Sequence, residues 1–532
     1  MRALALVALV CACSDAVVAP DAAVAGPPDA SFPDANVVRF PDANVVGPAD
    51  DANFVGSPDA DVVAPDASIA PDAASPAANV LHVAPAGDDR AAGTTAAPLR
   101  TIQEGLRRAQ SGEIVRARAG TYAELVSFPR SGVTLESATG ERVILDGTGL
   151  GRGEPEPALV SVRDVSHVVV RGLELINITG AGGNFPAGIW VRGSSSDIRI
   201  EGNIVRSIRA ENGGDDTGAH GIAVYGTATT PSEDIVIERN QVFDLTLGHS
   251  EAVVINGNVR RFALRDNTVH DVDNIAFDII GFESDVCPRC TQADTIADDV
   301  NRARDGVISG NTAYSMTTFG NPSYGSERSA ACYYVDGGAD IVIERNIAHD
   351  CDLGVELASE HAGTSTKRVT VRSNFLYRNL VTGIATGGYD PGNGPGGGSA
   401  EDCAIVNNTI SDSSRNGWAD TGLLLQNRNV RNVYANNIVV ASAGGSAMAS
   451  GGARNSANVF DGNIVFGGIV DGITGTHRTA DPQLVDPASG DLHLRSTSPA
   501  RGTGVGAPSG TLDFDSEPRL QGALDVGADE VP

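Results

Sequence analysis

The sequence predicts an all-β chain wound into a right-handed, single-stranded parallel β-helix, a prediction that rests on three observations. First, a strand-like element of the form apolar-x-apolar-x-x-Asn-x-apolar recurs around Asn203, Asn240, Asn267, Asn311, Asn346, Asn374, Asn408, Asn437 and Asn463. Second, each is followed by a shorter element, Gly-Ile-x-Val or a variant, beginning at Gly188, Gly221, Ala252, Ala276, Cys332, Gly354, Gly383 and Gly422. Third, both elements alternate apolar with other residues, the period-2 sign of a strand, and no helices lie between them. Such short strands do not suit a doubly wound sheet. They suit a coil stacked on itself, in which each rung buries its inward side chains against the next, and strand-to-strand crossovers of this kind are right-handed.

Each element then has a place. The asparagines mark the corner of every rung, where the residue adopts the left-handed conformation and its amide bonds the asparagines above and below. Their expected role is structural. Ahead of the repeats, Met1–Val10 carries Arg2 and an apolar run far short of the ~20 residues of a membrane span, so residues 1–12 read as a signal peptide. Val10-Cys11-Ala12-Cys13 is similar to a bacterial lipobox with Cys13 as the lipidated residue, and Ser14 directs such a protein to the outer membrane. Residues 13–79 repeat Pro-Asp-Ala, as at Pro20, Pro28, Pro33, Pro41, Pro58, Pro65 and Pro71. Proline removes donors and the aspartates repel, so this stretch is expected to be a solvated linker without a core. Residues 80–532 form the β-helix domain. The net charge of −29 and the single lysine exclude nucleic acid as a partner, because that binding needs basic residues against phosphates. The chain is expected to be exported and monomeric, touching membrane only through a lipid on Cys13.

Residues 81–148 include the pattern GT…APLRTIQEGL…GEIVRARAGTY, and this resembles the opening segment of pectate-lyase-like β-helix proteins. In that group the segment supplies a capping helix, here about Thr101 to Gln110, and the first rungs. The tail, from DPQLVDPASGDLHL to DVGADE, resembles the closure common in the same group. The resemblance implies action on uronate-containing polysaccharide by β-elimination. Ca²⁺ on groove carboxylates pairs with the substrate carboxylate, and a Lys or Arg takes the neighbouring proton. A glycoside hydrolase or uronate epimerase on the same scaffold is the alternative, as is an adhesin that only binds glycan. The hydrolase motifs Asn-Thr-Asp-Gly and Gly-His-Gly are absent, with Ala219-His220-Gly221 a partial echo of the second.

Registering the Gly-Ile-x-Val elements places Trp190, Ala223, Val254, Asp278, Tyr334, Glu356, Ala385 and Leu424 in one outward column. The next column holds Arg192, Tyr225, Asn256, Ile280, Asp336, Ala358, Gly387 and Gln426. Rungs lie ~4.8 Å apart, so the carboxylates of Asp278, Asp336 and Glu356 repel unless a proton or cation intervenes. Oxygen ligands of this kind point to Ca²⁺, with Asp273 upstream as a fourth. His249, Glu251, Asn256, Asn258, Glu283, Tyr334, Glu360 and His361 flank the cluster and are expected to bind substrate. Trp190, Tyr225 and Tyr334 are candidate stacking platforms. The catalytic set is Asp278 and Glu356 with Lys367 or Arg368 as base, and Arg192 next in line. Cys287 and Cys290 are spaced for a local disulfide, and Cys332 and Cys351 begin adjacent rungs.

Overall fold

The structure, a computed structural model, describes residues 79–531 except 155, 182–183, 212–216, 291–298, 389–396, 416–418, 420 and 520–523. The signal peptide, Cys13 and all of the linker but its last residue lie outside the described residues.

Alternating apolar residues set the coil. Ile189 and Val191, Ile222 and Val224, and Ile198 and Ile200 all point inward and are fully buried. Stacked rung on rung, such positions make one continuous core from Val83 to Val465. The strands gather into three long sheets, and every strand-to-strand pairing within these is parallel, which makes the fold a right-handed single-stranded parallel β-helix. The Gly-Ile-x-Val elements form a twelve-stranded sheet, called here the groove sheet, from Val126–Ser127 to Ile469–Asp471. In each rung the chain passes from the groove sheet to a second sheet, turns at an asparagine, and runs through a third.

At that turn Nδ2 of Asn203 donates to Oδ1 of Asn240 at 3.0 Å. The same bond repeats through Asn267, Asn311, Asn346, Asn374, Asn408 and Asn437 to Asn463 at 2.9–3.1 Å. Each Oδ1 also accepts the backbone N–H of the asparagine before it, as at Asn240 and Asn267. One expectation needs correcting. The left-handed conformation falls on the residue before each asparagine, for example Arg239 (φ 54°), Asp266 (φ 53°) and Gly310 (φ 68°). That residue turns the corner, and the asparagine after it is free to point its amide inward.

The ends are closed differently. Helix Ile102–Arg108, one residue shorter at its start than expected and two at its end, is capped by Thr101, whose hydroxyl accepts the Glu104 N–H. It buries Ile102 and Leu106 against the first rungs. At the other end the tail packs across the outer face of the third sheet, where Leu484, Leu492, Leu494 and Val526 join Phe375, Tyr377, Ile438 and Ile464. Cys287 bonds Cys290 and Cys332 bonds Cys351, leaving Cys403 buried as a thiol.

Candidate functional site

The pairing register of the groove sheet reproduces the first column residue by residue, from Trp190 through Asp278, Tyr334 and Glu356 to Leu424. Arg192, Tyr225, Asn256 and Ile280 pair in the second, as do Asp336 and Ala358. These residues point away from the core, yet Asp278, Asp336 and Glu356 are only 2%, 3% and 5% exposed. Chain folded over the sheet hides them.

Described residues of the segment after Ile280 lie close to them, Glu283 adding its negative charge at Asp336. Arg302 anchors this segment by donating to the carbonyls of Gly338 (2.9 Å) and Ser365 (2.6 Å). Asn301 holds the Glu283 carbonyl at 2.9 Å. Phe282 just before it has φ 76°, a strained value for a bulky residue, and lies beneath the Arg302 guanidinium. Glu283 meets Nε2 of His361 at 3.3 Å. On the facing turn, the Glu360 N–H donates to Asp336 Oδ1 at 2.8 Å and the Tyr334 hydroxyl donates to Glu360 Oε1 at 3.4 Å.

Burial dominates the electrostatics. It pushes the Asp278 carboxyl well above its usual range, helped by Glu251, Asp336 and Glu360. Asp336 is raised in the same way, with Glu360, Glu283 and Glu356 as its negative neighbours. Glu251 and Glu356 are each pushed up to about 8 by burial, Glu360 adding to both and Glu283 to Glu251. Glu360 is raised by burial and Glu283. The hydrogen bond to Glu283 raises His361. Five carboxyl groups, Glu251, Asp278, Asp336, Glu356 and Glu360, thus share one buried patch and hold protons more tightly than carboxylates in water.

The donor chemistry of this patch fits a hard cation such as Ca²⁺. Its ligand atoms are oxygens, and Oδ1 of Asp278 is buried with no hydrogen-bond donor. It is not a closed cage. Among the described residues, the set of three ligand atoms within 4.8 Å of one another is elsewhere, at His493, Asp515 and Asp529 in the tail. There both ring nitrogens of His493 already meet carboxylates, those of Asp491 and Asp515.

The structure brings together Glu251, Asp278, Glu283, Tyr334, Asp336, Glu356, Glu360 and His361, with Asn256 beside them. Five other candidates stand apart, and each has a structural partner. Lys367 lies in strand Ser365–Arg372 of the second sheet, its Nζ 2.9 Å from Asp299. Arg368 forks onto Asp340 at 2.5 Å through two nitrogens. Asp273 accepts the Leu247 N–H at 2.6 Å, and burial lifts it to about 6. His249 packs edge-on against Tyr324, and Asn258 ties down the carbonyls of Ala228 and Thr229.

Other residues join the site from outside the predicted set. Gln426 donates to Glu356 Oε1 at 3.4 Å. His220 is 1% exposed and burial lowers it to about 4, so its ring is neutral near pH 7. Its Nδ1 donates to the Glu251 carbonyl at 3.1 Å, which leaves Nε2 to accept the Tyr225 hydroxyl at 3.2 Å. Trp190, His220 and Tyr225 pack edge to face, with ring centroids 5.6–5.7 Å apart. The column signal contained Tyr225 and Gln426, while His220 opens its rung ahead of the repeat and lay outside both columns.

No protein-family model matches the chain. The protein YwoF of Bacillus subtilis (strain 168), described as uncharacterized, is 34% identical over 448 residues, covering 79% of this chain and 92% of YwoF. The chain belongs to the YwoF family. The scaffold of this chain is a pectate-lyase-like parallel β-helix. A pectate lyase of Emericella nidulans, PEL9, is 31% identical over 134 residues, 22% of this chain and 31% of the lyase. Among solved structures, the A-module of the Azotobacter vinelandii mannuronan C-5 epimerase AlgE6 has a TM-score of 0.48 at 14% identity, covering 71% of this chain and 90% of the module. Pectate lyase Pel9A has a TM-score of 0.45 at 12% identity, covering 85% and 96%.

Proposed function

We propose that this chain is an exported, carbohydrate-active protein, anchored through a lipid on Cys13, whose groove sheet acts on uronate-containing polysaccharide by Ca²⁺-assisted β-elimination. The observation that carries this reading is the run of buried, mutually repelling carboxyl groups on consecutive rungs, with Asp278 Oδ1 left without a donor. The partial match to a pectate lyase supports it. Asp278 and Asp336, on adjacent rungs, would hold the cation, with Glu356 two rungs from Asp278. The chemistry a cation would supply at these carboxylates is neutralisation of the substrate carboxylate and acidification of the adjacent C–H. Lys367 is bound to Asp299 on another sheet, so the proton falls to a group on the groove. On the groove the Tyr225 hydroxyl donates to the neutral His220 ring; burial raises the phenol and lowers the imidazole, so this pair keeps its proton on the phenolic oxygen.

The test is incubation with polygalacturonate and with alginate, with and without Ca²⁺. The expected result is growth of the unsaturated-uronate absorbance, lost in Asp278→Asn together with calorimetric Ca²⁺ binding. Silence on every uronate polysaccharide sinks the elimination. New reducing ends without that absorbance would mean hydrolysis, a second reading favoured by Glu251 and Glu356. Raised to about 8, both stay protonated at neutral pH, as a general acid must.

A further inference from the structure

Two to three rungs before the acidic patch, the groove presents arginines. Arg163 and Arg192 are paired neighbours on adjacent strands, in the column that continues to Tyr225 and Asn256. Two guanidinium groups one rung apart repel unless an anion lies between them. Here that anion is the Glu156 carboxylate, 3.6 Å from Arg163 and in contact with Nη1 of Arg192. Glu156 reaches in from the segment before strand Ala158–Arg163, with its side chain 34% exposed. One carboxylate lies directly between the two arginines, and Asp285 is the next negative group within range of Arg192.

Buried polar atoms at the same place lack partners. Trp190 is 4% exposed, and its indole N–H has no acceptor. Arg192 lies with its guanidinium carbon 5.1 Å from the Trp190 ring centroid and 5.9 Å from that of Tyr225. Its Nε is buried and also lacks an acceptor. A guanidinium held by two rings is fixed in orientation, with its fork presented for a planar acid. An indole N–H beside it supplies a third donor.

We infer that Arg163, Arg192 and the Trp190 N–H form a subsite that takes the carboxylate of a uronate residue directly, and that Glu156 occupies its place in the free protein. This rests on the groove binding uronate polymers, but not on the reaction or on the cation. The subsite lies ~14 Å along the sheet from Asp278, three rungs away, so it engages a different sugar of the same chain. It also gives the groove a direction: metal-free recognition at one end, carboxyl chemistry in the middle.

The experiment is calorimetric titration of the full chain with oligogalacturonate and with alginate oligomers, in buffer containing a chelator. The parent is expected to bind. Arg192→Gln should weaken that binding about tenfold or more, the loss of a charge-assisted fork. Trp190→Phe, which keeps the ring and removes one donor, should weaken it several-fold with an unchanged melting temperature. Glu156→Gln should tighten it, because the internal competitor is removed. Carboxyl-reduced, neutral oligomers should not respond to any of the three. No binding by the parent, equal binding by Arg192→Gln, or weaker binding by Glu156→Gln would overturn the subsite. Asp278→Asn separates the two proposals. It should leave binding in chelator intact while Ca²⁺-dependent cleavage is lost; if the parent itself binds in chelator but cleaves no uronate polymer, the reaction falls and the subsite stands.

Discussion

Two buried polar arrays run along this solenoid, and they differ in one respect. The asparagine ladder is satisfied throughout: Asn311 alone donates to Leu264, Ser309 and Asn346 and accepts twice from Asn267. The acidic rungs of the groove sheet, just as buried, contain like charges and orphaned oxygens. Buried polar groups with partners hold a fold together, whereas buried polar groups without them are strain retained for a ligand. The difference separates structure from function without reference to any relative.

Cutting the ladder should have the largest effect. Asn311→Ala removes its side-chain bonds and strands both the backbone N–H and the side-chain amide of Asn267. A loss of about 3–5 kcal/mol is expected in denaturant unfolding. The groove should respond in the opposite sense. Glu356 has a folded pKa of about 8, above its usual value of 4.5, so the folded state binds more protons between those limits. Its contribution is therefore favourable below pH 4.5 and is lost as pH rises through 8. Glu356→Gln mimics the protonated form, so the parent should lose roughly 3 kcal/mol relative to this variant on going from pH 5 to 8. A parent and variant that track each other would mean that Glu356 is solvated. The smallest effect is expected at Lys367. Its pair with Asp299 is partly exposed, so Lys367→Ala should cost about 0.5 kcal/mol and leave turnover unchanged. Lost turnover would place it back in the groove.

The arrays were not equally legible in the sequence. Period-2 alternation aligned Asp278, Tyr334 and Glu356 correctly, because a parallel stack carries register from rung to rung without a gap. Corners carry no such signal. Lys367 follows His361 by six residues, but the chain between them turns onto the second sheet. Asp273 and His249 sit in the opposite corner, where one peptide unit decides between facing the groove and capping an amide. Arg163 and Glu156 lie on a rung reading ALVSVR, which lacks the Gly-Ile signature and offers no register by inspection. Burial of the outward face was hidden for a related reason: it depends on contacts between residues far apart in sequence, such as Glu283 with His361 and Arg302 with the Gly338 and Ser365 carbonyls.

The ladder has one more property. From Asn203 to Asn437 every side-chain amide donates to the next asparagine, and from Asn240 to Asn463 each accepts from the one before. Turning a single amide over would set N–H against N–H on one side and oxygen against oxygen on the other. No asparagine can therefore choose its orientation alone, just as no molecule in a proton-ordered row of ice can. The column has two collective states, and the backbone N–H groups that share each Oδ1 select one of them. Aligned dipoles of this kind add and polarise one another along the axis. The solenoid thus has an electrical sense of direction, positive toward its last rungs, before any charged side chain is counted.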